Sequence, residues 1–465
     1  MTSPALAPVA PKISGRAWIL AVLTLTYTFN HIDRQILVIL LEPIKTELGL
    51  KDSQLGLLSG LAFAAVYATL GIPVAMWADR GNRRNIIALA VGVWSAMTAL
   101  SGFAQNFWHL LLARIGVGVG EAGGTPPATS MIADLYPPQE RATALGIYTS
   151  GIGLGIMAGF ALGGYVYELY GWRTAFFVAG VPGLILALIV RFGIREPVRG
   201  LADQRVDDSP APSLGETMKF ILSQQSLIWL LAGCLLICVS ANAFLVFTSS
   251  HLQRTYQLTP GQVSLPLGVL IGGVGSLGAV VLGRVCDTLS KRDLRWRPLI
   301  IAIGAAVALP FAWMFLRAPS VELAYAWNIV PSFIGLIYAS VAYTATQELV
   351  RLRMRSFASA FMLFCLTLIG IGCGPWIAGE LSDHFARSGA GQPRAPGREV
   401  LLNLNAAPNH SQQLATRPDR KHAARPAALP LARALELILI LNAASILCLL
   451  MATRNYRKDA ARAAA

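Results

Sequence analysis

Apolar residues run through this chain in stretches of roughly 20 or more, the length of helix that crosses a bilayer core of about 30 Å. Short connections that are charged or marked by Pro and Gly separate them. Read in order, the pattern predicts helical spans near 16–41, 53–78, 85–104, 107–134, 140–168 and 172–194. Six more follow near 222–250, 262–288, 298–317, 321–350, 356–384 and 431–453. The expected fold class is an all-α polytopic membrane protein of twelve transmembrane helices. Domain limits follow: a tail over 1–15, a first set of spans over 16–194, a linker over 195–221, a second set over 222–453 and a tail over 454–465. In the linker, Ser213 and Glu216 have the spacing of a capping box, so a short helix is expected to begin there.

Composition agrees with this reading. Of the 465 residues, 55% are hydrophobic and 13% charged, a balance that argues against two or three soluble domains. The net charge of +14 raises the question of nucleic acid, but most Lys and Arg sit in the connections between apolar runs, where they set topology. With the N-terminus inside, the inner connections collect about 23 basic residues and the short outer loops about five, which predicts both termini in the cytoplasm. The connection 385–430 carries seven Lys and Arg yet falls outside; long loops translocate regardless of charge, and its Gly, Pro, Asn and Gln content predicts a mobile external segment. MTSPALAPVAPK reads as a disordered tail rather than a cleaved signal. All six cysteines lie in apolar runs, where a thiol behaves as a small hydrophobe, and Cys234 with Cys238 would need further ligands to hold a metal. No cofactor is expected, and no phosphate loop of the GxxxxGK type supports ATP-driven work.

An internal repeat divides the spans into six and six. After the second span the chain reads ADRGNRR, with Asp79, Arg80, Arg83 and Arg84; after the eighth it reads CDTLSKR, with Asp287 and Lys291. The preference for inner basic residues explains the bases but not an acid at the same place in each half.

These residues carry a resemblance. ADRGNRR, with its partial echo CDTLSKR, and RIGVGVGEA in the fourth span resemble signatures of the major facilitator superfamily, with Asn82 and Ala75 standing where the superfamily usually has Gly. FNHIDRQIL, RIGVGVGEAGGTPPATSMIADLYPP and GGYVYELYGWRTAFF are similar to its Spinster branch, over essentially the first 200 residues and more thinly through GPWIAGELSD. The resemblance implies two six-helix bundles, with spans 1, 4, 7 and 10 around a central cavity, and alternating access that is often proton-coupled. It implies a bacterial homologue in the inner membrane, acting on lysophospholipid or sphingolipid-like molecules. It also implies that Asp79, Arg80, Arg83, Arg84, Asp287 and Lys291 gate the cytoplasmic side. The expected partners are membrane lipids, protons and an amphiphilic or anionic small molecule, with the protein as a monomer.

Four charges stand inside the first and fourth spans: Asp33, Arg34, Arg114 and Glu121. A charge at mid-membrane costs at least about 2.5 kcal/mol on insertion scales, so such residues face a partner or water and mark function. At 1.5 Å per residue, Asp33 falls about 15 Å below the outer surface, between Arg114 at about 10 Å and Glu121 at about 20 Å. Arg114 and Glu121 are two turns apart on one helix face, and GVGVG between them serves either helix packing or substrate passage. A carboxylate in low dielectric resists ionisation until a guanidinium approaches, so Asp33 and Glu121 are the expected proton carriers. Arg34 and Arg114 suit a phosphate or carboxylate headgroup. Asn242 in the seventh span and Tyr338 and Tyr343 in the tenth are further candidates for substrate contact, with packing hydrogen bonds as the plainer alternative. The functions that follow are a proton-coupled transporter of a lipid-like amphiphile or, with the same arginines, a permease for a small organic anion. A lipid-modifying enzyme would need a nucleophile with its base, and the scattered histidines do not supply one.

Overall fold

The computed structural model describes residues 15–198, 214–351, 354–388 and 429–464, and every regular element among them is helical. The first half opens with α1 (Arg16–Ile39) and a short outer helix α2 (Leu41–Leu48). Next, α3 (Asp52–Gly56) passes through a π-helical turn at Leu57–Leu61 into α4 (Ala62–Arg80). α5 (Arg83–Ser101), α6 (Phe107–Glu121), α7 (Thr125–Leu135) and α8 (Pro138–Leu188) complete that half. A linker helix α9 (Leu214–Ser223) leads to α10 (Gln225–Tyr256). There follow α11 (Pro260–Leu267), a π-helical segment Gly268–Val274, α12 (Gly275–Ser290) and α13 (Trp296–Leu316). The chain continues as α14 (Val321–Ile334), α15 (Ile337–Glu348), α16 (Arg355–Cys365), a π-helical segment Leu366–Cys373, α17 (Gly374–Arg387) and α18 (Leu429–Ala464).

A helix, straight or interrupted, lies at each predicted span, and nine stretches among the described residues are long and apolar enough to cross a membrane. The differences have local causes. The fifth and sixth spans run together as α8, whose 51 residues would extend about 77 Å if straight. The chain turns back at Gly171, which has φ of 81°, a conformation that glycine adopts freely. The fourth span breaks after Glu121 because GGTPP follows: two glycines, then prolines that start α7 with their missing N–H groups where none is needed. Residues 454–464, read as a tail, continue α18, and Asp459 accepts the backbone N–H of Ser226 at 2.9 Å, capping the start of α10. Arg457 ties the same segment to Asp293 (3.0 Å), holding that carboxyl below the usual range. A depressed carboxylate contributes its stabilisation above its unfolded pKa and loses it as pH falls through the folded one. The docking of 454–464 is therefore expected to be unchanged from pH 8 to 6, as limited proteolysis of that segment would report. Residues 1–14 of the expected tail, 199–213 of the linker, with the capping-box Ser213, and 389–428 of the long connection lie outside the described residues.

The end bearing Arg83 and Arg297 is termed inner, the side expected to face the cytoplasm, and the opposite end outer. Apolar burial is arranged in three clusters. One belongs to the first half (Leu23, Ile87, Trp94, Met131) and one to the second (Leu230, Ile301, Val341, Leu449). The third joins both at the outer end, with Leu37 and Phe160 against Phe247 and Phe315. Ion pairs follow the same division. At the outer end Arg254 of α10 crosses to Glu42 (2.9 Å) and to Asp52 (2.7 Å), and Asp52 also accepts Ser382 Oγ at 2.6 Å. At the inner end, among the described residues, the networks of Arg83 and Arg297 each stay within one half. Arg83, 1% exposed, donates to Glu196 (2.8 Å), Ser130 (2.9 Å), the Pro197 carbonyl (3.0 Å) and Asp134. Arg297 joins Asp287 (2.7 Å) and Glu348 (3.0 Å), and Tyr456 donates to Glu348. The halves are thus sealed outside and separately braced inside. Arg83→Ala would remove the buried cation that ties Asp134, Ser130 and Glu196 together, a loss that typically costs about 3–5 kcal/mol, so thermal unfolding in detergent is expected to fall sharply. Asp287→Asn is expected to cost under about 1 kcal/mol, because Asp287 is 68% exposed and Arg297 keeps Glu348.

Candidate functional site

α1 and α6 bring the four intramembrane charges into one cluster inside the first half. Arg34 donates through Nε (2.8 Å) and a terminal nitrogen to the same oxygen of Glu121, Oε2. Glu121 is the last residue of α6, at the negative end of that helix, where a carboxylate is disfavoured unless a cation compensates. Arg34 is that cation. The pair is asymmetric: the Glu121 side chain is fully enclosed and that of Arg34 is 23% exposed, so Arg34 is the partner that another molecule can reach.

Asp33 and Arg114 lie deeper. Asp33 is 0% and Arg114 2% exposed, and both Asp33 oxygens, Arg114 Nε and Glu121 Oε1 are buried with no hydrogen-bond partner. Arg114, Glu121 and Thr98 are the neighbours that act on the Asp33 carboxyl. Burying a polar group without a partner is costly, so these four unpartnered atoms set the cluster apart from an ordinary packing network. The expectation that Arg114 offers itself to a headgroup does not match this enclosed placement, whereas Arg34 is accessible.

Two aromatic residues complete the cluster and were not anticipated. The Arg34 guanidinium lies 4.4 Å from the Phe63 ring centre and 5.5 Å from that of Tyr67, and Arg114 lies 5.9 Å from Phe63. Such contacts hold a cation without neutralising it. The only signal in the sequence is FAAVY at i, i+4 on the second span, which reads equally well as lipid-facing. The structure decides the role of GVGVG: a Cβ on Gly116 would lie 2.6 Å from Met97, on Gly118 3.0 Å from the Phe63 carbonyl and on Gly120 2.6 Å from Trp94. The glycines are helix-packing positions.

Apart from these charges, a cavity of about 250 Å³ is lined by the second half, with Ile156 of α8 also on its wall. Asn242 and Tyr338 line it, with Thr248, Ala305, Ala312 and Asn328, and none of the four charges does. Asn242 donates to the Cys238 carbonyl (2.9 Å) and Tyr338 to Cys238 Sγ (3.3 Å), so both residues serve packing bonds as well as the cavity wall. Tyr343 is not on that wall; it lies toward Tyr67 and Tyr27 of the first half. The inner residues gather less closely than expected. Arg83 is the buried hub described above, and the Arg84 backbone N–H donates to Glu196 at 2.8 Å while its side chain reaches Asn85. Arg80 and Lys291 are exposed, Asp287 pairs with Arg297 rather than Lys291, and the side chain of Asp79 lies outside the described residues. Glu196, Asp134, Arg297 and Tyr456 were missed as members of these networks.

Comparison with known proteins bears on this geometry. Residues 23–375 match a family model described as Major Facilitator Superfamily. An "MFS-type efflux pump" of Mycolicibacterium smegmatis is 34% identical over 394 residues, which cover 84% of this chain and 90% of that one. The "Sphingosine-1-phosphate transporter SPNS2" of Danio rerio is 27% identical over 398 residues, 79% of this chain and 76% of that one. A crystal structure described as a bacterial homolog to the human lysosomal transporter, Spinster, in an inward-facing and unoccupied conformation superposes with a TM-score of 0.81 at 28% identity, over 97% of this chain and 99% of that one.

Proposed function

The chain belongs to the major facilitator superfamily, and from that premise we propose that it is a proton-coupled secondary transporter of an anionic, lipid-like amphiphile. The expected likeness to the Spinster branch is borne out by its relatives, and the protein is a transporter, not an enzyme. The finer reading is that twelve spans in two bundles rock about a midplane site in a bacterial inner membrane, with both termini cytoplasmic and the protein a monomer. The substrate would be of the lysophospholipid or sphingolipid class.

One combination carries the reading: the first half holds a partly exposed arginine, Arg34, and the second half an apolar cavity. A charged headgroup fits the first and a hydrocarbon chain the second. At about 250 Å³ the cavity falls just below the range of whole-ligand pockets, roughly 300 Å³ upward, so it suits a chain rather than a complete amphiphile. Glu121 gives up Arg34 to the headgroup and, without its cation, takes a proton; Asp33 holds the second proton-accepting carboxyl beside Arg114. Relatives whose names state sphingosine-1-phosphate transport and efflux support the class.

The test is uptake into proteoliposomes of substrates from short carboxylates to lysophospholipids, with and without a pH gradient. Gradient-dependent uptake that rises with chain length is expected. Ala305→Phe, which fills the cavity, is expected to cut uptake of a long-chain lysolipid about tenfold, the worth of roughly two buried methylenes, and to spare short anions. Uptake indifferent to chain length and to Ala305→Phe would replace the lipid-like substrate with a small organic anion.

A further inference from the structure

At the outer end each half closes on the other through the same short device, and the device is duplicated in the sequence. In α17 a glycine and an acid four residues later, Gly379 and Asp383, face the start of α3. Asp383 accepts the backbone N–H groups of Asp52 (3.1 Å) and Ser53 (2.9 Å). A Cβ on Gly379 would lie 2.3 Å from the Asp52 carbonyl oxygen, so only glycine permits the approach. In α8, Gly164 and Glu168 have the same spacing and face the start of α11. Glu168 accepts the N–H of Gly261 at 3.1 Å, and a Cβ on Gly164 would lie 2.2 Å from Ser264 Oγ and 2.9 Å from the Pro260 carbonyl.

The arrangement is reciprocal: α17 of the second half caps α3 of the first, and α8 of the first caps α11 of the second. The receiving helices are copies as well. Leu50, Gln54, Leu57 and Gly60 recur at one constant offset as Leu258, Gln262, Leu265 and Gly268. In each copy the glutamine side chain accepts the N–H of the residue before the helix, Lys51 at 2.9 Å and Thr259 at 3.1 Å. Each helix then enters a π-helical turn. The next N–H groups in line, which no residue of their own helix can satisfy, are the ones met by the acid from the opposite half.

We propose that Gly164 with Glu168 and Gly379 with Asp383 form a two-fold-related pair of clamps that hold the outer gate shut, and that opening to the outside requires both to release. Helix starts carry partial positive charge, and a carboxylate placed there stabilises them. These carboxylates reach their N–H groups only while the halves touch, so the stabilisation belongs to the outward-closed state alone. Asp383, half-buried and accepting two N–H groups, is the stronger clamp; Glu168 is exposed and accepts one. The inference rests on alternating access but not on the substrate or on proton coupling.

The test uses the full chain without substrate, in a background lacking reactive native cysteines, with spin labels at exposed positions. Gln105→Cys with Glu322→Cys reports the outer end, and Gln139→Cys with Arg292→Cys the inner. Asp383→Asn and Glu168→Gln are each expected to raise the outward-open to inward-open ratio about three- to tenfold, the worth of a charged helix cap, with the larger effect at Asp383. The double variant should approach the product. Gly164→Ala and Gly379→Ala, which leave both acids in place, should move the distances the same way by obstructing closure. Wild-type distances in a folded, monodisperse double variant of the acids would overturn the clamp. Alternating access fails on a different result, a glycine variant open at both ends.

Discussion

Asp33→Asn is expected to reduce gradient-driven uptake in proteoliposomes to background while leaving a folded protein. The substitution keeps the size of the side chain and its place beside Arg114 and Thr98, and removes only the ability to exchange a proton. Neither Asp33 oxygen has a hydrogen-bond partner, so the neutral amide loses no bond that the structure contains. A structural role predicts otherwise. If an ionised Asp33 compensates Arg114, the Asn variant strands a guanidinium that is 2% exposed, and the loss of a buried partner typically costs about 3–5 kcal/mol. Two measurements therefore separate the roles: melting in detergent and uptake with an imposed pH gradient. Near-normal melting with lost uptake supports the carrier, and exchange without net proton movement should survive. Retained gradient-driven uptake would sink the idea and leave Glu121 as the sole carrier.

How much of this was legible in the sequence depends on the kind of signal. Span positions were, because a bilayer imposes a length on every apolar run, and the four charges stood out because their surroundings are apolar. Which charge pairs with which was not. Helix rise places Asp33 between Arg114 and Glu121 in depth, but depth does not fix rotation about the helix axis, and it is the next residue, Arg34, that meets Glu121. Asp287 and Lys291 stand close in the sequence, yet at the helix end it is a long arginine from α13 that reaches Asp287. A second repeat held that information. Arg83 and Arg297 each begin the pattern R-x-x-I-I, and each meets an acid at the inner end of the following span, Asp134 or Glu348. The outer clamps escaped for a related reason: an acid at a span end reads as a solvated charge until the facing helix start is known. Phe63 and Tyr67 were illegible, since an aromatic residue on an apolar helix gives no sign of the cation above it.

The second large effect is expected at the Arg34–Glu121 pair, and it runs in opposite directions for the two partners. Arg34 Nε and one terminal nitrogen both donate to one oxygen of Glu121, so a headgroup that grips this edge of the guanidinium competes with that carboxylate. Removing the competitor should help binding and removing the cation should end it. Glu121→Gln is therefore expected to bind a lysophospholipid more tightly and to flatten the pH dependence of binding. On the proposed coupling, in which a proton and a headgroup enter together, wild-type binding should strengthen as pH falls. Arg34→Ala is expected to weaken binding by about ten- to a hundredfold, since a hydrogen bond to a charged group contributes roughly 1.5–3 kcal/mol. Arg34→Lys should fall between, keeping the charge but losing the two-pronged grip. Glu121→Gln should not unfold the protein, because the Arg34 side chain is 23% exposed and can be hydrated when unpaired. Arg34→Ala leaves the enclosed Glu121 without its cation, a loss that typically costs about 3–5 kcal/mol, so its melting should fall, and its binding is read on the folded fraction. Equilibrium binding of a lysolipid to detergent-solubilised variants at pH 6 and pH 8 decides the matter. Wild-type affinity in Arg34→Ala would remove Arg34 from the headgroup site. An undiminished pH dependence in Glu121→Gln would place the coupling proton elsewhere, with Asp33 the remaining carboxyl of the cluster.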